Sequence, residues 1–266
     1  MSIFPIFDPL KALRPMRVAA FMSGTGTNIK KLLEYEKSFK IRGNKSPFEV
    51  IFIFSDRSDG GCAGERIAFE YDLPYFSYDI RMFYRTNKLK RSIMSKEGLE
   101  ARKKFDSVAG KLISAFKVDI IALGGYMSYT TLPNCVNVHP ADLSILDSDG
   151  KRRYVGDDAV RDAILAGETQ LCSSTLFTDD GIDSGPLLMV SAPITVNLPI
   201  PLHELKQNKL VLDQTVSAHQ VKLKEAGDWV IFPYTIEMIS TGRFAFDKSG
   251  QVYVDGVYQK NGFKLY

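Results

Sequence analysis

Short, nearly uninterrupted apolar runs recur through the first half of the chain. Arg17–Met22, Phe48–Phe54, Leu73–Ser77, Val118–Leu123 and Val136–His139 each have the length of a strand. Continuous apolar runs of this kind mark strands buried on both faces of a parallel sheet, since a half-exposed strand would alternate with polar residues. Helical spacing fills the gaps, from Ile29–Leu33 onward, over Ala63–Tyr71 and across residues 80–117, where Ile93, Leu99, Phe105, Val108, Leu112 and Ile113 are expected to face inward. Strands alternating with helices predict right-handed crossovers in one sheet.

The second half reads differently. A helix is expected over Asp157–Ala166, a strand over Ser173–Phe177, another over Leu187–Ile194, and one long helix over Leu202–Ala226. Trp229–Pro233 should precede a further helix, Tyr234–Ser240. Gly242, Gly250 and Gly256 then punctuate an antiparallel piece made of Arg243–Phe246 and Gln251–Val254. The expected fold is α/β and Rossmann-like: a mostly parallel twisted sheet with helices on both faces and a small antiparallel C-terminal piece.

Two glycine-rich stretches carry candidate chemistry. Ser23-Gly-Thr-Gly-Thr-Asn28 follows the first strand and opens a helix. Glycines let backbone approach an anion, and the free amides of a helix N-terminus point at it. No Gly-Lys-Ser/Thr follows, and Ile29 stands where a dinucleotide fingerprint needs its third glycine. A tight turn that binds nothing is the alternative. Gly24–Asn28, Gly124–Ser128 and Asn137–His139 would all lie beyond the carboxyl ends of parallel strands, where such sheets gather their ligands.

Asn137 and His139, two apart on a strand, share a face. A carboxylate from Thr178–Asp183 would complete an oxyanion donor, an acid/base and its orienter, the set used at an acyl or formyl carbon. A structural histidine beside Pro140 is the plainer alternative. The 34 Lys and Arg against 31 Asp and Glu leave a net charge of +3, too balanced to argue for nucleic acid or membrane. The basic 80–117 segment reads as a solvated helical pair before it reads as a nucleic-acid patch. Three scattered cysteines, Cys62, Cys135 and Cys172, suggest neither a disulfide framework nor a zinc site and fit a reducing cytoplasm. The first sixteen residues have no signal-peptide core, and no run is long enough to span a bilayer.

The motif order resembles the phosphoribosylglycinamide formyltransferases of the folate-dependent formyltransferase superfamily. RVAAFMSGTGTNIKKLL (17–33), Phe48–Asp56, VDIIALGGYM (118–127), VNVHP (136–140), FTDDGIDSGPLL (177–188) and WVIFPYTIEMISTGRF (229–244) carry the likeness. It implies a formyltransferase domain over 17–257, with a phosphate-binding half near 17–117 and a catalytic and folate half near 118–257. An N-terminal extension, 1–16, and a tail, 258–266, flank it. The resemblance implies Asn137, His139 and Asp183 as catalytic residues, and Gly24, Thr25, Gly26, Thr27, Asn28 and Arg102 around a substrate phosphate. Met127, Ser128, Asp179, Asp180 and Gly181 would border the folate, with Asp228 near a ribose.

The implied reaction passes a formyl group from 10-formyltetrahydrofolate, as co-substrate, to the amine of glycinamide ribonucleotide in purine synthesis. The resemblance implies no metal, nucleic acid or membrane, and a cytoplasmic monomer or homodimer. A formyltransferase acting on another phosphorylated amine, a formyltetrahydrofolate hydrolase and a catalytically silent nucleotide- or folate-binding protein are the competing readings. The chain departs from the family pattern at Ser128, where an arginine is usual, at Leu176, where a histidine is common, and at Asp158 and Val160, which replace a histidine pair. Insertions fall near 80–98 and 147–153.

Overall fold

The computed structural model describes residues 2–266 and divides into two compact units, residues 7–137 and residues 2–6 with 138–266. The division falls between Asn137 and Val138, inside the strand Cys135–His139.

In the first unit every strand pairing is parallel. The order is Cys135–His139, Ile120–Leu123, Met16–Met22, Phe48–Ser55, Tyr75–Ser77. Alternation along the strands sends Ala19, Phe21, Phe52, Phe54, Ile121 and Leu123 to one face, where Ala109 and the partly buried Leu112 and Ile113 of helix Lys96–Ala115 cover them. The other face carries Met22, and a side chain at Gly26 would collide with Met22 and with Ile67 of helix Gly64–Glu70. Helices therefore cover both faces of the parallel sheet, as the apolar runs require. The basic 80–117 segment forms helices Ile80–Thr86 and Lys96–Ala115. Ile80, Phe83, Tyr84, Ala101 and Phe105 make a second apolar cluster there, and most of the cations stay exposed.

In the second unit, Leu187–Val190 pairs antiparallel with Ser174–Phe177 and parallel with Phe263–Lys264. The small antiparallel sheet has the order Ile3–Pro5, Phe244–Asp247, Val252–Val254, Val257–Tyr258, so residues near the N-terminus supply one edge of the C-terminal piece. Three expectations are corrected: Trp229–Pro233 does not precede the last helix but forms its opening turn, the helix being Trp229–Ser240. The strand after the Asp183 loop stops at Val190, because Pro193 interrupts the run, and resumes as the short Ile194–Thr195. The single helix over Leu202–Ala226 is instead Leu202–Leu205 followed by Lys209–Leu223, where Asn208 caps the second helix by accepting from the Val211 N–H at 3.2 Å.

The helix then widens into a π-turn, Lys224–Asp228, and continues as Trp229–Ser240 with Pro233 inside it. A proline removes one N–H and crowds the preceding turn, and a wide turn just upstream is a common way to absorb such a disturbance. The π-turn also brings Gly227 against Ser173, leaving no room for a Cβ. No helix of the described residues is long and apolar enough to cross a membrane.

Helix Thr27–Ile41 carries one electrostatic liability. Burial, only partly offset by the Val50 N–H it accepts at 3.3 Å and aggravated by Glu49, pushes the Glu36 carboxyl from 4.5 up to about 7. A raised folded-state value means that the protonated form fits the fold. The stability it contributes is complete below the unfolded value of 4.5 and is lost as pH rises through about 7. At about 1.4 kcal/mol per pK unit, ~3 kcal/mol is the ceiling of that loss. Glu36→Gln should therefore stabilise the protein by about 1–3 kcal/mol near pH 8 and leave it unchanged near pH 4. Denaturant melts at the two pH values test this, and an equal effect at both would refute it.

Candidate functional site

In the first unit, three loops meet beyond the carboxyl ends of their strands. The Ser23 N–H donates to the Gly125 carbonyl at 3.0 Å, and the Ser23 hydroxyl accepts from the Met127 N–H at 2.9 Å. The Gly24 carbonyl accepts from the Ala63 N–H at 3.0 Å. Gly26 takes the left-handed conformation, φ 68°, and caps helix Thr27–Ile41 with no side-chain bond to the first-turn amides. Those amides are the donors that an anion would use. Thr25 is exposed, Gly24 and Thr27 are half-buried, and Asn28 is buried. Gly124 must lack a side chain, because a Cβ there would strike Ile29 on the same helix.

The candidate folate residue Ser128 donates its hydroxyl to Asp56, a carboxylate buried just past Phe48–Ser55 whose other oxygen has no hydrogen-bond partner among the described residues. Met127 is exposed. Arg102 is 2% exposed, pairs with Asp106 at 3.2 Å and reaches the Tyr126 hydroxyl at 3.4 Å. The structure therefore gives this phosphate candidate protein partners inside the unit. Arg57, which the sequence reading overlooked, lies at the loop instead. It donates to the Ser23 carbonyl at 3.4 Å and, paired at 2.8 Å, holds the Asp59 carboxyl down to about 2. Its only sequence signal is its place two residues past a strand end.

In the second unit, His139 and Asp183 are brought together: Nδ1 lies 3.4 Å from Oδ2, and both side chains are at least nine-tenths buried. Nε2 lies 3.1 Å from the Tyr154 carbonyl, so each ring nitrogen faces an oxygen. Tyr154 is itself anchored. Its hydroxyl donates to Glu168 at 2.6 Å, and burial first, then that carboxylate, pushes the phenol up to about 12. The same Asp183 oxygen accepts the Gly156 N–H at 2.9 Å. The Asp183 backbone is left-handed, φ 50°. The Arg152 guanidinium donates to the carbonyls of Asp183 and Gly185, the latter at 2.7 Å. In the sequence, 147–153 stands out only as an insertion. Nothing in the string marked Arg152, and the Tyr154 carbonyl and Gly156 amide are backbone groups without any residue signature.

Asp179 organises its own loop, accepting from the Gly181 N–H at 3.0 Å and the Ser184 hydroxyl at 2.7 Å, while Asp180 and Gly181 are exposed. Asp228, the ribose candidate, is 4% exposed and accepts the Ser173 hydroxyl at 2.6 Å, a placement within the core. Asn137 is half-buried and shares its strand with His139. Two of the departures are core positions. Leu176 is buried with Leu143, Cys172, Leu187 and Val190, and Val160 is buried with Ala163, Ile164 and Leu212. Asp158 is exposed, 3.8 Å from Arg161.

Known proteins resemble the chain throughout. A phosphoribosylglycinamide formyltransferase structure from Coxiella burnetii, in complex with CHES, superposes with a TM-score of 0.66 at 22% identity, covering 95% of this chain and 100% of its own. A glycinamide ribonucleotide transformylase 1 from Symbiobacterium toebii gives 0.61 at 21% identity, covering 90% and 94%. At this identity the likeness speaks for the fold. The trifunctional purine biosynthetic protein adenosine-3 of Chironomus tentans is 23% identical over 241 residues, and that of Drosophila melanogaster 24% over 186. These alignments take in 91% and 67% of this chain but only 15% and 12% of those proteins. Residues 16–197 match the family model described as Formyl transferase, and the chain belongs to that family.

Proposed function

We propose that the protein transfers a formyl group from 10-formyltetrahydrofolate to the amine of glycinamide ribonucleotide. The observation that carries this reading is the buried His139–Asp183 pair, 3.4 Å apart, on a formyl transferase scaffold. The names of the relatives support the acceptor: several are phosphoribosylglycinamide formyltransferases or purine biosynthetic proteins.

On this reading the chain's residues work as follows. The Asn137 amide donates to the formyl oxygen as the attacking amine converts the carbon to a tetrahedral centre and the oxygen takes on charge. His139 exchanges the Tyr154 carbonyl for that oxygen and becomes its second donor. Asp183 keeps the ring oriented, stabilises its cationic form and accepts the amine proton, directly or through a water, before the leaving nitrogen takes one up. One C–N bond forms as another breaks, and the proton count closes. Asp179–Gly181 and Met127–Ser128 border the folate in this scheme.

The substrate phosphate is assigned to Gly24, Thr25, Gly26, Thr27 and Asn28, through the helix-start amides. Arg57 supplies the cation. Arg102 stays with Asp106, and Asp228 stays with Ser173. The protein works as a small-molecule enzyme, in the cytoplasm, without a metal. The hydrolase reading keeps the same trio and puts water in place of the amine, so it differs in needing no acceptor.

A steady-state assay with and without glycinamide ribonucleotide tests the proposal. Acceptor-dependent turnover is expected, and release of folate at the same rate without acceptor would favour the hydrolase. Asn137→Ala and His139→Ala should each lower kcat by at least 10²–10³-fold, the usual effect of one lost oxyanion donor. Near-normal turnover in either variant, with unchanged thermal melting, sinks the assignment. For the phosphate, Arg57→Ala should raise the KM for the ribonucleotide about tenfold and leave kcat within about twofold, since a charge-assisted contact contributes about 1.5–3 kcal/mol. An unchanged KM would remove Arg57 from the site.

A further inference from the structure

The second unit contains a cavity of about 300 Å³ outside the His139–Asp183 pair. The Asp183–Leu187 segment, the 143–152 loop and the C-terminal residues 250–261 enclose it. Leu143, Leu146, Leu187 and Val252 give it an apolar wall. Arg152 and Lys260 line it together with Ser144, Gln251, Tyr258 and Asn261, and no carboxylate is among the lining residues. This volume lies at the small end of ligand sites, which characteristically combine an apolar lining with a few convergent polar groups.

Arg152 is the informative residue. A guanidinium has five N–H donors. Two go to the Asp183 and Gly185 carbonyls, and the other three have no partner among the described residues. The group is half-buried, and burial lowers its pKa against the opposing pull of Asp179 and Asp183. Three donors that no protein group holds leave this guanidinium able to engage an anion entering the cavity. Lys260, exposed on the opposite segment, makes no ion pair among the described residues.

We propose that this cavity binds a small organic anion, with a carboxylate or phosphate on Arg152 and Lys260 and an apolar body against Leu143, Leu146 and Val252. The forked guanidinium suits either acid geometrically. Because the same guanidinium holds the Asp183–Gly185 backbone, an anion seated there also fixes the loop that carries the catalytic carboxylate. Its lining shares no residue with the glycine loop assigned to the substrate phosphate, and it does not depend on which amine accepts the formyl group.

The test uses the full chain and two probes, succinate for the carboxylate and glycerol 3-phosphate for the phosphate. Calorimetric titration should detect at least one of them, and the one that binds identifies the acid. Lys260→Glu, an exposed change that leaves the fold intact, should weaken that binding at least tenfold, as should Arg152→Met. Thr25→Glu, which places a negative charge in the glycine loop, should leave it unchanged. Hydrogen exchange should show added protection in 183–187 and 250–261 on binding. The proposal is overturned if neither probe binds, if binding survives Lys260→Glu at full strength, or if Thr25→Glu abolishes it.

Discussion

Much of the second unit is arranged around one carboxylate. Asp183 Oδ2 accepts from the Gly156 amide and stands against the His139 ring, both in buried surroundings. To present it there, the backbone turns into the left-handed region, which costs a non-glycine residue on the order of 1 kcal/mol. The Arg152 guanidinium offsets this by donating to carbonyls on both sides of Ser184. A hydrogen bond from a charged donor typically contributes about 1.5–3 kcal/mol, so even one of the two outweighs the strain. The strained backbone and the charged strut are therefore one feature, and the 147–156 segment is part of the site.

The first unit meets a different constraint. A parallel sheet ends in strand termini whose loops must bond to one another or to a ligand. Here Ser23 satisfies the 124–127 loop through both its amide and its hydroxyl, and Gly24 satisfies Ala63. The glycine loop is thereby held through Ser23 and the Gly24 carbonyl, and the helix it opens starts at Gly26 with no side-chain cap on its first turn. Gly26 and Gly124 are needed because Met22, Ile67 and Ile29 fill the space that side chains would occupy.

How much of this was legible follows from where the signal lies. Parallel strands were readable because Phe48–Phe54 and Val118–Leu123 are apolar on both faces, and only a doubly covered strand needs that. The His139–Asp183 approach was readable from Asn-x-His-Pro and Asp-x-Gly-Pro, though the Tyr154 carbonyl on the other ring nitrogen was not, because a backbone oxygen has no letter. The start of the long helix and the start of the helix after it were both misjudged, for local reasons. Asn208 looks like any polar surface residue until it caps, and Pro233 suggests a helix start unless the π-turn before it is known. Pairing of Ile3–Pro5 with Phe244–Asp247 was invisible for a third reason: contacts between chain ends leave no periodicity to read.

Arg102 and Arg57, both in the first unit, differ in what it would cost each to leave its present partner. Arg102 and Asp106 are both almost fully buried, in adjacent turns of one helix, and Asp106 also accepts from Thr131. Withdrawing Arg102 would strand a buried carboxylate, and breaking such a pair typically costs about 3–5 kcal/mol. A single phosphate contact returns about 1.5–3 kcal/mol, too little to drive that exchange. The Arg57–Asp59 pair is much more exposed, with 29% and 38% of the side chains accessible, and pairs of that kind contribute about 0–1 kcal/mol. Arg57 can therefore turn from its carboxylate to an anion at little cost, and it already touches the loop through Ser23. Desolvation decides the matter: the buried guanidinium is fixed structure, and the half-exposed one is available for binding.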